Sequence, residues 1–207
     1  MIDFTLSQLV MRIAAVLVIS MLHGCAVAAA AFALGDAGPK HDGRLTINPL
    51  AHVDLLGGAV ALIVAAGWGR WIAIDPRVLR HGFVDLLLVV AAGVLAIVLG
   101  VEALRWGRPL LLPLLPDTGA AAAFTLIQTT IEVALAFALL SVLPVPPLAA
   151  GHLLVAALPG LRERLPQVSL VVGVSVAAAM FAGAAGHLLD PAVRFLVSLV
   201  LGEDVGI

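Results

Sequence analysis

The stretch Ile13-Ala14-Ala15-Val16-Leu17-Val18-Ile19-Ser20-Met21-Leu22-His23-Gly24-Cys25-Ala26-Val27-Ala28-Ala29-Ala30-Ala31-Phe32-Ala33-Leu34 is apolar from end to end apart from the Ser20 hydroxyl and one imidazole. As a helix it measures roughly 33 Å, enough to cross the hydrocarbon core of a bilayer. His23 is the sole acidic, basic or imidazole side chain between Arg12 and Asp36. Hydrocarbon offers it no water, so it needs either a partner or a task. The alanine run 28–31 leaves a smooth surface that another helix can approach closely, and Gly35-Asp36 ends the segment.

The whole chain agrees with this opening. Of 207 residues, 62% are hydrophobic and only 12% charged, with a mean hydropathy of +1.16. A soluble domain is about a quarter charged, so the composition predicts an all-α polytopic membrane protein, a single membrane domain over residues 1–207. A net charge of −2 does not suit nucleic acid, and none is expected as a partner. The single Cys25 cannot form an internal disulfide. Met1-Ile2-Asp3-Phe4 lacks the basic start of a signal peptide, so the first helix is expected to be retained.

Working outward, Asp36–Pro49 is a polar loop whose Gly43-Arg44-Leu45-Thr46-Ile47-Asn48-Pro49 portion reads as a short strand. Leu55–Ala66 is apolar but short; it is read as a span beginning near Leu50, with a re-entrant segment as the alternative. Trp68 and Trp71 suit the membrane interface, and Trp71-Ile72-Ala73-Ile74-Asp75-Pro76 reads as a second short strand. Further spans are expected over Phe83–Val101, Ala120–Leu143 and Val168–Leu189, the last with His187 near its end. A loop is expected over Arg105–Gly119, a short piece dipping into the protein over Leu148–Leu158, and an interfacial piece over Pro191–Leu201. The count is five transmembrane helices, six at most. Basic residues divide six against five between the two sides and set no orientation.

A hydrolytic zinc site needs three protein ligands, an open position for water and a carboxylate to act as base. On a helix the frame H-E-x-x-H supplies two ligands on one face with the Glu beside the metal-bound water. Here that frame reads His23-Gly24-Cys25-Ala26-Val27. The first ligand position is filled, the base position is Gly24 and the second ligand position is Val27.

Four stretches make the frame specific. They are the His23 helix ending Ala33-Leu34-Gly35-Asp36; Gly43-Arg44-Leu45-Thr46-Ile47-Asn48-Pro49-Leu50-Ala51-His52-Val53-Asp54; Gly67-Trp68-Gly69-Arg70-Trp71-Ile72-Ala73-Ile74-Asp75-Pro76-Arg77; and Leu143-Pro144-Val145-Pro146-Pro147-Leu148-Ala149-Ala150-Gly151-His152. In order and separation they resemble the short bacterial form of the site-2 proteases, intramembrane zinc metalloproteases. The resemblance runs from about residue 13 to 160, leaving 161–207 as extra C-terminal helices. It implies a site-2-protease-like core with two short β-strands near the membrane surface, located in the bacterial inner membrane.

The same resemblance implies that the chemistry is gone. The family's third ligand, an Asp, corresponds to Ala149. Its auxiliary Pro and Asn on the next span correspond to Val94 and Ile97, and a further Asn to Ser141. The expectation is therefore a catalytically inactive protein, with no catalytic residue and no cofactor, that binds a transmembrane helix of another membrane protein as scaffold or complex subunit. Glu132, Gln128, His52 and Asp54 are the candidate partner-binding residues, and the lipid bilayer is the other partner. His23, the one surviving ligand position, is expected to hydrogen-bond to Ser20 or Ser141; Cys25 is expected to pack. The alternative is an active intramembrane metalloprotease whose zinc is held by a rebuilt site of His23, Cys25 and His152. A third reading is a proton or solute path through Glu132, His23 and Asp85.

Overall fold

A computed structural model describes residues 5–201, with the backbone alone at residues 184–188 and 201. The proposed N-terminal retention, the side chain of His187 and the last six residues lie outside what is described.

The first helix, α1 (Leu6–Ala33), opens with a capping box. The Thr5 hydroxyl accepts from the Gln8 amide, and the Gln8 side chain accepts from the Thr5 amide. Its buried residues Val16, Ile19, Ser20, His23, Val27 and Ala31 recur every three to four positions, so one stripe faces inward. That stripe meets α4 (Phe83–Leu111) and α5 (Asp117–Ser141), and these three long helices form the centre of the molecule. Ile97 and Val101 of α4 interdigitate with Ile19 of α1 and with Ile127, Ile131 and Ala134 of α5. A second cluster joins Val27, Ala28 and Ala31 to Leu86 and Val89 of α4 and to Ile72 and Ile74.

Shorter elements fill the periphery. They are α2 (Gly38–His41), α3 (Leu55–Val64), α6 (Gly151–Ala157), α7 (Leu165–Phe181) and α8 (Ala184–Leu201). Asp54 caps α3, its carboxylate accepting from the Gly57 amide at 2.8 Å. At the other end the Arg12 guanidinium donates to the carbonyls of Leu62 and Ile63 at 2.9 and 2.7 Å, so α1 closes the C-terminus of α3.

Several expectations need correction. Among the described residues there is no β-strand. In the first candidate, Asn48 and Leu50 take side-chain oxygens of Thr46 and Asn48 as backbone acceptors, forming turns where a ladder was expected. The second candidate is extended, but its bonds go to side chains. The Asp75 amide donates to Asp36 Oδ2 at 2.8 Å, and the Ile72 carbonyl faces the His152 ring. The two segments touch through a single antiparallel bridge, Val53–Gly69, with Arg70 N donating to His52 O at 2.7 Å.

Three helices among the described residues are long and apolar enough to cross a membrane: Leu6–Ala33, Phe83–Leu114 with its closing 3-10 turn, and Asp117–Ser141. Leu55–Val64, read above as a span, is about 15 Å long, half of a bilayer core. The expected helix over Val168–Leu189 stops at Phe181, because Gly183 turns the chain at φ 79°. The expected loop at Arg105–Gly119 is mostly helix; α4 runs on through the Glu102–Arg105 pair to Leu111. Trp68 is not interfacial: it is buried against Leu140 and Leu148.

Asp36 holds the turn after α1 to the rest. It is buried, its Oδ1 accepts from Gly38 N at 2.8 Å and its Oδ2 from Asp75 N. Asp75 in turn pairs with Arg77 at 2.8 Å and reaches Arg162 before α7. These guanidiniums hold the Asp75 carboxyl well below its usual range. A depressed carboxyl stabilises the fold above its unfolded pKa, so this tie persists at neutral pH and is lost only in acid below about pH 4. Asp36→Ala removes two buried charge-assisted bonds, together about 2 kcal/mol, and is expected to lower the thermal midpoint in detergent by roughly 4–8 °C. Glu163→Ala, at an exposed position, serves as the control and is expected to leave the midpoint in place.

Candidate functional site

The positions that the resemblance assigns to three metal ligands do come together. His23 and Val27 on α1 and Ala149 before α6 line one cavity of about 20 Å³, room for one or two waters. Trp68, Val90, Phe137, Ser141 and His152 contribute other parts of its wall. The cavity sits where α1, α4, α5 and the extended segment 68–74 meet.

His23 is buried, and its Nε2 has no hydrogen-bond partner among the described residues. The expected bonds to serine are not made. Ser141 donates to the Phe137 carbonyl at 2.8 Å, and the Ser20 hydroxyl is itself without a partner. The imidazole is held by shape. Phe137 lies tilted against it at 5.2 Å, and α4 passes so near that a Cβ on Gly93 would stand 2.6 Å from Nε2. No side chain larger than hydrogen fits at residue 93 while His23 keeps this rotamer.

Gly24 faces a second histidine. His52, 1% exposed, lays its ring against the α1 backbone so closely that a Cβ on Gly24 would overlap the imidazole. The ring's Nε2 lies 2.8 Å from the Thr46 carbonyl, while Nδ1 has no partner. The space that a carboxylate base would occupy is thus taken by a loop side chain. Nothing in the sequence around Gly24 announced this; the signal available was a small residue in a helix together with an unexplained histidine downstream.

Cys25 turns away from the cavity, as its position two residues from His23 on a helix dictates. Its Sγ meets the Thr46 carbonyl at 2.7 Å and lies 3.6 Å from His52 Nε2. His152 reaches the cavity wall, but both its ring nitrogens face backbone carbonyls, of which a neutral ring can donate to one. Nδ1 lies 2.7 Å from the Ala149 carbonyl and Nε2 2.7 Å from the Ile72 carbonyl, with the Trp71 indole stacked parallel at 3.7 Å. Burial lowers its pKa against the opposing pull of the two carbonyls. The proposed trio of His23, Cys25 and His152 therefore does not converge. Among the described residues no three His, Cys, Asp or Glu side chains gather into a metal-holding group. The donor set at the cavity, two imidazoles and a hydroxyl with His152 and Ser141 turned to backbone carbonyls, does not fit zinc, which needs three or four N, S or O ligands.

The remaining candidates separate. Asp54 caps α3 as described. Asp85 is buried and bound locally, its carboxylate accepting from His81 N at 2.7 Å and lying 3.1 Å from His81 Nδ1. Gln128 and Glu132 sit on a half-exposed face of α5, 3.5 Å apart, and do not line the cavity. Asp36, which the sequence reading passed over as a helix end, is the polar residue that most ties the segments together.

Fold and composition together define an all-helical protein with three candidate membrane spans. Over 72 residues the chain is 36% identical to the "Putative zinc metalloprotease YwhC" of Bacillus subtilis (strain 168). That similarity covers 35% of this chain and 33% of the relative, so the matched part spans about a third of the relative's length. No protein-family model matches the chain, and no solved structure matches it.

The Gly24–His52 contact is open to a double-mutant cycle. Gly24→Ala alone is expected to lower the thermal midpoint, because the added methyl and the ring cannot both keep their places. In the His52→Ala background the same change is expected to be close to neutral. A coupling energy of about 1 kcal/mol or more between the two sites is expected; strict additivity would show that the contact does not govern this helix face.

Proposed function

We propose that this chain is a catalytically inactive, site-2-protease-like membrane protein that binds a transmembrane segment of another membrane protein, as a scaffold or a subunit of a membrane complex. The observation that carries the reading is the cavity itself. Its walls place residues 23, 27 and 149 around one small space, as the resemblance requires of a metal site, but fill two of the three positions with hydrocarbon. The position of the base is Gly24, lying under His52. Partial identity to the "Putative zinc metalloprotease YwhC" of Bacillus subtilis (strain 168) supports the lineage, and the bacterial inner membrane is the location we infer.

In this reading the chain is one membrane domain, with a core over residues 13–160 and added C-terminal helices. Spans α1, α4 and α5 cross the bilayer. At 17 residues, α7 is close to the minimum for a further crossing toward the five or six that the sequence suggested. The rebuilt zinc site gains no support, since Cys25 and His152 face backbone carbonyls and Cys25 does not line the cavity. Nor does a proton path, since Asp85 is bound to His81 and Glu132 lies on an outer face.

Two measurements test this. Purified protein is expected to contain substoichiometric zinc by atomic absorption and to leave transmembrane reporter peptides intact; full zinc occupancy with chelator-sensitive cleavage would overturn the proposal. Conversely, the double variant Val27→His with Ala149→Asp puts two ligands back around His23. It is expected to retain about one zinc per chain where the wild type does not, while remaining unable to cleave because Gly24 supplies no base.

A further inference from the structure

One polar feature stands outside the cavity. Along α5, Thr118, Thr125, Gln128, Thr129 and Glu132 are spaced by three, four or seven residues from one or more of the others, so they line one side of the helix. Thr118 and Thr125 are exposed, the other three half-buried. The opposite sides of α5 carry the core residues Ile127, Ile131 and Ala134, which pack against α1, α4 and α8.

Glu132 lies about 13 Å along the helix from Ser141 and about 22 Å from Asp117, well inside a crossing helix. Its neighbour is the neutral Gln128 amide at 3.5 Å, at the far limit of a hydrogen bond. No lysine, arginine or histidine among the described residues forms an ion pair with it. A half-exposed carboxylate at that depth is costly in lipid and is stabilised by a cation or a donor from a neighbouring helix. The exposed Ala121 and Ala122 and the small Thr125 and Thr129 leave the flank low enough for another helix to approach closely.

We propose that this face of α5 docks a transmembrane helix of a different membrane protein, one carrying a lysine or arginine at mid-bilayer depth that pairs with Glu132. The proposal rests on the partner-binding half of the function above and is independent of the loss of chemistry. Charge complementarity selects the occupant. A second copy of this chain has no lysine or arginine in the middle of its long helices. Arg12 lies near one end of α1 and is bonded to α3, and Arg105 and Arg108 lie in the last turns of α4. Arg194, exposed on α8, is the cation on a described helix through which a second copy could compete.

The experiment titrates the purified full-length protein in detergent with two fluorescent transmembrane peptides. Both are leucine–alanine helices, identical except for a central lysine or leucine. The lysine peptide is expected to bind about tenfold tighter than its leucine twin, and Glu132→Gln is expected to abolish that preference while keeping the wild-type thermal midpoint. Equal binding of both peptides to the wild type would overturn the α5 face and leave partner binding elsewhere intact. No binding of either would overturn both. Concentration-dependent dimerisation of the protein, lost in Arg194→Gln or Glu132→Gln, would make a second copy the occupant and likewise overturn the proposal.

Discussion

The His52 ring lies directly against the backbone of α1 at Gly24, and the neighbouring segments are arranged around that contact. It brings the 43–54 loop down onto a helix that also serves as the centre of the three-helix core. With His52 in place, its carbonyl receives Arg70 N, and the extended segment 68–74 is drawn along the same side of α1. That segment then forms a wall of the cavity that His23, Val27 and Ala149 share. The missing Cβ at Gly24 is what lets the loop come this close to α1.

Polar groups in an apolar protein must be satisfied internally, and here side chains do this more than strands. Asp36 accepts two backbone amides, Asp54 one, and Arg12 supplies donors to the last carbonyls of α3. The Arg44 guanidinium bonds the Ala51 carbonyl and closes its loop from within. This explains why two segments with strand-like composition pair through one bridge only. Their amides and carbonyls find carboxylates, hydroxyls and imidazoles nearer than each other. It also explains why α3 and α6 can be so short, since their ends are capped or packed against longer helices.

The long spans were legible because uninterrupted apolar runs at 13–34, 83–101 and 120–143 admit little else. The ends were less so. Glu102, Arg105 and the prolines near residue 110 read as a loop, but an i,i+3 ion pair and a proline close to a helix terminus both fit within α4. At residue 183 one glycine in the left-handed region divides what looked like a continuous span, a choice that apolar periodicity cannot register. At the site, motif spacing drew attention to residues 23, 27 and 149, and all three line one cavity. It could not reveal that Cys25 and His152 spend their polar atoms on carbonyls, or that His52 covers Gly24, because these contacts join segments 21 to 80 residues apart.

The cavity also suits the apolar residues found at positions 27 and 149. An Asp at 149 or a His at 27 without a metal would bury polar groups with nothing to bond, at a cost of about 1–3 kcal/mol each. Valine and alanine remove that cost and contribute to the wall. By the same logic His23 ought to be unfavourable, since its Nε2 is buried without a partner. Its retention is better explained by volume than by chemistry. Gly93 lets α4 pass directly over the ring, and Phe137 rests against its side. A smaller residue would open a void between three helices whose close approach is already built around the imidazole, and the loss of packing there offsets what the unpaired nitrogen costs.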